Sequence, residues 1–178
     1  MFQKAAPQGR GLFRLAGVLI MIVRPSNKAD LPAVDALLAR SYPKLLKADY
    51  PPSILVMALP IIARARPELL VCGTYYVAQD GAVILGAGGW TPDRHDSGLG
   101  HIRHVVCDDR ALRRGAGRAL MQRSFDTARA SGVRKMECWA TRTAVPFYRA
   151  VGFVVAGVID VPLAEGIVFP SIRMMRDL

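Results

Sequence analysis

An apolar strand, a short polar turn and a helix that opens on Arg113-Arg114-Gly115-Ala116-Gly117 are the features that most limit this chain. The segment runs from Ile102 to Leu120. It puts the start of a helix at the end of a strand, with only small residues over the first turn. Small residues let backbone approach a ligand closely. The free N–H groups and positive pole of a helix N-terminus then favour an anion, a phosphate above all. Arg113, Arg114 and Arg118 can add charge-assisted bonds.

Three phosphate-binding readings compete. A P-loop needs Gly-Lys-Ser/Thr after four spacer residues, and no such tripeptide occurs. A dinucleotide fingerprint could use Gly115 and Gly117, with Glu137 twenty residues farther on, but Leu120 stands where its third glycine belongs. Seven residues also separate Cys107 from Gly115, whereas that fingerprint closes directly off its strand. The third reading, a coenzyme A diphosphate turn, tolerates the basic lead-in.

Charge is concentrated in the same region. The 178 residues carry 24 Lys and Arg against 14 Asp and Glu, a formal charge of +10. Between Arg110 and Arg149 there are ten basic residues against Asp126 and Glu137. That imbalance points to an anionic partner: nucleic acid, a membrane surface or a phosphorylated small molecule. An apolar fraction of 52% excludes a disordered chain. No apolar run approaches the roughly 20 residues of a membrane span, so no membrane partner is expected. Cys72, Cys107 and Cys138 are odd in number and far apart, without histidines at ligand spacing. This argues against a disulfide framework or a zinc site, predicts no metal, and fits a reducing cytoplasm.

Residues 1–20 hold Lys4, Arg10 and Arg14 and no acid. An export signal is one reading. The apolar stretch Ala16–Val23 is short, lacks a small-residue cleavage site and runs into Arg24-Pro25. The expectation is therefore an N-terminal extension over 1–20, with Met21 an alternative start, ahead of one domain over 21–178.

The periodicity predicts a strand over Val18–Arg24, then a helix with Leu31, Val34, Leu37 and Leu38 on one face. Pro43, Pro51, Pro52, Pro60 and Pro67 punctuate short helices at Ile54–Leu59 and Ile61–Arg66. A hairpin pairs Leu70–Gln79 with Ala82–Trp90 around Asp80-Gly81. A polar loop, Thr91–Gly100, precedes the strand His101–Cys107. The glycine-turn helix, a strand at Val133–Trp139, a short helix over Thr141–Val151, and strands at Phe153–Asp160 and Ile167–Met175 complete the chain. The order describes a single-domain α/β fold, with a mixed sheet flanked by helices.

Two motifs make the reading specific. Leu112 to Gly117 resembles the acetyl-coenzyme A motif of the GNAT-type N-acetyltransferase superfamily, Gln/Arg-x-x-Gly-x-Gly/Ala after a strand. Ala144-Val-Pro-Phe-Tyr-Arg-Ala-Val-Gly-Phe153 resembles its second signature, A-x-x-F-Y-x-x-x-G-F. Gly73–Ala78, Gly86–Trp90, Ile102–His104 and Met174 are also similar to a bacterial branch of these enzymes. Leu112 departs from the usual Gln or Arg, Asp109 from a common proline and Thr143 from a common Asn.

The resemblance implies a mostly antiparallel central sheet of the acyl-CoA N-acyltransferase type. It implies acetyl-coenzyme A as co-substrate and direct transfer to an amine of a small molecule or protein. It implies that Val105, Val106 and Cys107 hold the pantetheine arm through their backbone. Leu112, Arg113, Arg114, Gly115, Ala116, Gly117 and Arg118 would then surround the diphosphate. Tyr148 would protonate the departing thiolate. His101 falls by register where relatives often carry a glutamate base; histidine titrates near neutral pH, and water is the other option. By strand alternation His101 points with Arg103 and Val105, and His104 with Ile102 and Val106, so only a bulge could turn both histidines to one side. The arginines are then explained without nucleic acid, although a non-catalytic coenzyme A-binding or nucleic-acid-binding domain remains the alternative. A homodimer and a monomer are both open.

Overall fold

The computed structural model describes residues 21–178. The expected extension over 1–20, and residues 18–20 of the expected first strand, lie outside the described residues. Seven strands form one sheet in the order β1-β2-β3-β4-β5-β7-β6. The strands are β1 (Met21–Pro25), β2 (Tyr75–Asp80), β3 (Val83–Pro92), β4 (Leu99–Cys107), β5 (Lys135–Ala140), β6 (Val154–Ala164) and β7 (Ile167–Asp177). Every neighbouring pair is antiparallel except β4 and β5. A doubly wound parallel sheet is thereby excluded, and with it the dinucleotide reading of Gly115 and Gly117.

Strand alternation builds the two faces. In β2, Tyr76 and Ala78 meet helix α4 (Ala116–Ala130) through Leu120, Phe125 and Ala128. Tyr75 and Val77 point the other way, onto Val34, Leu37 and Leu38 of α1 (Leu31–Leu46). A smaller cluster joins Tyr50, Leu55 and Ala58, which follow α1 in the chain, to Phe169 of β7. Burial of these side chains supplies the main driving force, roughly 1.5–3 kcal/mol for each large aliphatic or aromatic one.

The Pro-rich region is less broken than its sequence suggests. One helix, α2 (Pro52–Ile62), covers the first short helix expected and passes through Pro60, but of the second it takes in only Ile61 and Ile62, residues 63–66 being non-helical; α1 continues through Pro43. Ion pairs hold the end of α1: Arg40 to Asp108 at 2.8 Å and Lys44 to Asp109 at 2.8 Å. These contacts offset the backbone hydrogen bond that Pro43 cannot make. The start of the expected hairpin strand also differs. Pro67–Leu70 forms the short helix α3 because Leu69 and Leu70 are buried against α1, and β2 begins only at Tyr75.

The central strand carries an irregularity with large consequences. Ala87 pairs with Val106, yet Gly89 pairs with Arg103, so His104 and Val105 together oppose Gly88. This is a β-bulge. Its effect is visible in the core: Ile102 joins the α4 face and Val106 the α1 face, although both are even-numbered. His104 takes the extra step at a left-handed φ of 42°. Gly88 is required opposite it, since a Cβ there would lie 2.8 Å from a Val105 methyl. Gly89 is tighter still; a Cβ would fall 2.2 Å from the Thr74 carbonyl oxygen and 2.5 Å from the Tyr75 Cα.

Gly89→Ala is therefore expected to cost about 2–3 kcal/mol, read by denaturant unfolding. Gly157→Ala, which meets nothing within 4 Å, should stay within about 0.5 kcal/mol of the parent. Equal stabilities for the two variants would contradict this packing.

Candidate functional site

Strands β4 and β5 are paired only from Leu99 with Lys135 to His101 with Glu137. Beyond that point β4 runs six residues on to Cys107 and β5 three to Ala140, without further pairing. The two strands splay, and a cleft of about 1590 Å³ opens between them. Backbone groups along this edge of β4 have no strand partner.

One end of the cleft is the glycine turn. Asp108 organises it: its carboxylate accepts from the Arg110 backbone N–H at 2.9 Å and from Arg40 at 2.8 Å. The Asp108 backbone N–H donates to the Leu85 carbonyl at 2.8 Å. Arg113 and Gly115 both adopt left-handed backbone, at φ 62° and 87°. Helix α4 then starts with no side chain capping its first turn, and Ala116 and Gly117 of that turn line the cleft. Gly117 lies so close to the Phe147 ring and the Cys107 sulfur that a Cβ would stand 3.0 and 3.2 Å from them. Of the residues expected here, Leu112, Arg113, Gly115, Ala116, Gly117 and Arg118 line the cleft, as do Val105, Val106 and Cys107. Arg114 is exposed and does not. Burial pushes the Cys107 thiol up to about 11, which keeps it protonated and unsuited to act as a nucleophile.

Tyr148 comes from α5 (Val145–Ala150). That helix is held from the α1–α2 linker, where the Tyr50 hydroxyl accepts from the Arg142 backbone N–H at 2.8 Å and Thr143 donates to Asp49 at 2.6 Å. The Tyr148 ring is fixed edge-on between Phe147 and Phe153, at 5.2 and 5.4 Å between centroids. Its hydroxyl makes no hydrogen bond among the described residues and lines the cleft. Burial holds this phenol well above its ordinary pKa. It is a proton-bearing donor at any physiological pH.

His101 bridges two carboxylates. Its Nε2 lies 2.8 Å from Asp93 Oδ2 and its Nδ1 3.1 Å from Glu137 Oε2. Glu137 is itself buried and also accepts from Trp139 and Arg173. His101 ties the β3–β4 loop to the last paired rung before the splay. The hydrogen bond from His101, then those from the His95 and Asp96 N–H groups, hold the Asp93 carboxyl well below the usual range.

The bulge turns His104 toward the cleft as well, so both histidines line it. Tyr75 donates to the His104 carbonyl at 2.8 Å and fixes the bulge from the α1 face. Trp90 belongs to the core, its indole N–H donating to Thr127 at 3.0 Å. Sequence reasoning missed Glu137, Arg103, Arg66 and Trp139 as cleft residues. An arginine inside an apolar strand, one alternation from His101, was the available signal for Arg103. Nothing in the sequence indicated that β5 would swing Glu137 against His101. Among the described residues no cluster of His, Cys, Asp and Glu could hold a metal ion, and no helix is long and apolar enough to cross a membrane.

The acetyltransferase (GNAT) family profile matches residues 33–153, more than half of the chain. The chain belongs to the acetyltransferase (GNAT) family. Its fold is similar to that of a GCN5-related N-acetyltransferase from Rhodopseudomonas palustris, at a TM-score of 0.73 and 21% identity over 91% of this chain and 100% of that one. It is also similar to the PaiA N-acetyltransferase of Thermoplasma acidophilum, solved with coenzyme A, at 0.70 and 12% identity over 89% and 99%. The N-acetylglutamate synthase of Neisseria gonorrhoeae, solved with coenzyme A and N-acetyl-glutamate, gives 0.61 and 15% identity over 92% of this chain but 36% of that one. No curated protein matches the chain. At these identities the structural likeness concerns the fold; membership rests on the family profile. The acetyltransferase thus shares both the motifs and the mixed sheet that the sequence implied.

The bulge makes one further property of this acetyltransferase measurable. Burial, then the charges of Arg66 and Arg103, pushes His104 down to about 4 from an ordinary 6.5. The unfolded chain binds this proton more readily than the folded one. Stability attributable to His104 is therefore complete above pH 6.5 and is lost as the pH falls toward about 4, by up to about 3 kcal/mol. His104→Asn suits the left-handed backbone. The difference between variant and parent melting curves should change with pH over that window and be flat above it; a difference independent of pH would contradict the assignment.

Proposed function

We propose that this acetyltransferase moves the acetyl group of acetyl-coenzyme A directly to the amine of an acceptor. The observation that carries the reading is the splay of β4 from β5 beside an uncapped, glycine-opened helix start. An extended, amide-bearing arm can add to the free edge of β4 as a further strand would, through the backbone of Val105, Val106 and Cys107. The first-turn N–H groups of α4, with Arg113 and Arg118, suit the diphosphate at the other end of that arm. The cradle fits: a side chain at position 117 would collide with Phe147 and Cys107, and Gly115 leaves its surroundings open.

Acetyl-coenzyme A supplies an activated thioester, so the chain has to align two reactants, stabilise developing negative charge and donate a hydrogen bond to the leaving sulfur. Unpaired backbone at the bulge can stabilise the carbonyl oxygen. Tyr148 offers its hydroxyl to the leaving sulfur. Its raised pKa keeps the proton on the phenol, so Tyr148 stabilises the departing thiolate as a hydrogen-bond donor, and the sulfur takes its proton from solvent to leave as the thiol. His101 takes a positioning part between Asp93 and Glu137, and the amine proton passes to water. Relatives that carry coenzyme A in their solved structures support the donor.

Release of free thiol from acetyl-coenzyme A across a panel of amines tests the reading. Tyr148→Phe should lower kcat roughly 10²-fold, with the KM for acetyl-coenzyme A and the calorimetric affinity for coenzyme A little changed. Unchanged turnover would remove Tyr148 from the chemistry. Absence of coenzyme A binding would remove the whole proposal.

A further inference from the structure

The half of the cleft away from the glycine turn holds cationic groups that the protein leaves uncompensated. Arg103, on the cleft side of β4, is partly buried, and its Nε donates to Thr91 Oγ1 at 2.9 Å. Its two terminal nitrogens have no partner among the described residues. Arg66, at the entry to α3, lines the same cleft and makes no ion pair among the described residues. The neighbouring Nδ1 of His104 is buried and also lacks a partner.

Among the described residues no carboxylate pairs directly with Arg103 or Arg66, although Glu68 lines the same cleft. Asp93 is taken by His101 and two backbone N–H groups, and Glu137 by His101, Trp139 and Arg173. Glu68, beside His104, is exposed. Burial, then the nearby Arg66 charge, works against the Arg103 cation, and the more distant Glu137 and Asp93 carboxylates offset this only in part. A half-buried guanidinium pinned through Nε with its fork left open, and with an exposed second arginine nearby, has the geometry for two parallel bonds to an incoming planar anion.

We infer that Arg103, with Arg66, receives a carboxylate of the acceptor, so that the substrate class is a small amino-carboxylic acid rather than a simple amine. This rests on the amine-transfer reading above. Arg103 immediately precedes His104, where the bulge interrupts the ladder. A carboxylate on its fork therefore holds an amine borne on the same small molecule at the reacting end of the cleft.

The experiment compares matched acceptors: amino acids, the corresponding amino-acid amides, the decarboxylated amines, and O-phosphoethanolamine. Thiol release should give amino acids a kcat/KM at least about tenfold above their amides and amines, as expected of one charge-assisted contact, and above the phosphate compound. Arg103→Gln, which keeps a polar side chain beside Thr91, should raise the KM for amino acids by about tenfold or more. It should leave the KM for acetyl-coenzyme A unchanged and abolish the preference over amides. Arg66→Gln, on an exposed loop position, should weaken the same preference while leaving the fold intact.

A second measurement separates this inference from the reading beneath it. Calorimetric titration of a mixture of N-acetyl amino acids into the protein loaded with coenzyme A should show binding that Arg103→Gln removes. Such binding without turnover of any amine would uphold the carboxylate site and sink amine transfer. Turnover of amines and amides as good as that of amino acids, or a preference untouched by Arg103→Gln, would sink the carboxylate site and leave amine transfer standing. Loss of both signals, or a preference for the phosphate compound, would overturn the inference.

Discussion

The structure depends on one irregularity in its central strand. His104 and Val105 are fitted opposite Gly88, and that extra residue changes which face of the sheet β4 presents thereafter. Without it Ile102 and Val106 would compete for the same side, and the cores under α1 and α4 could not both be filled. The bulge also increases local twist and bends its strand. Pairing with β5 ends at His101, three residues short of it. Gly88 and Gly89 are the steric licence for this arrangement, because each accepts a backbone approach that a Cβ would block.

The bulge leaves a cleft with two chemically different ends. Around α4 the cationic character comes from backbone N–H groups and flexible arginines in contact with water, which suits a diphosphate. Around Arg103 it comes from a pinned guanidinium and an imidazole kept neutral by burial, which suits a smaller and more exactingly placed anion. Between them Tyr148 presents an unpartnered hydroxyl. The Asp93–His101–Glu137–Arg173 chain closes the bottom of the cleft and fixes where the splay begins.

Much of this was legible in the residues. The two motifs were readable because their residue types have local causes: Gly115 and Gly117 at a helix start, Phe147 and Tyr148 on one short helix. The hairpin of β2 and β3 could be read from a tight turn between runs rich in strand formers. The bulge was conceivable from the conflict between His101 and His104 but not derivable, because a β-bulge depends on the partner strand's glycines and on packing from both faces. The passage of α2 through Pro60 and of α1 through Pro43 was decided by tertiary contacts from Asp108, Asp109 and Phe169. The part taken by His101 was illegible for the same reason: its partners come from a loop and a neighbouring strand 8 and 36 residues away.

The central claim is that the unpaired edge of β4 beyond His101 is where the acyl donor lies. Amide hydrogen exchange with and without coenzyme A tests it most directly. Slowed exchange is predicted at Val105, Val106 and Cys107 and over the first turn of α4 from Ala116 to Arg118, with β1, β2 and β6 unchanged. Binding of coenzyme A that leaves the amides of β4 and the start of α4 unprotected, or protects a different surface, would contradict it.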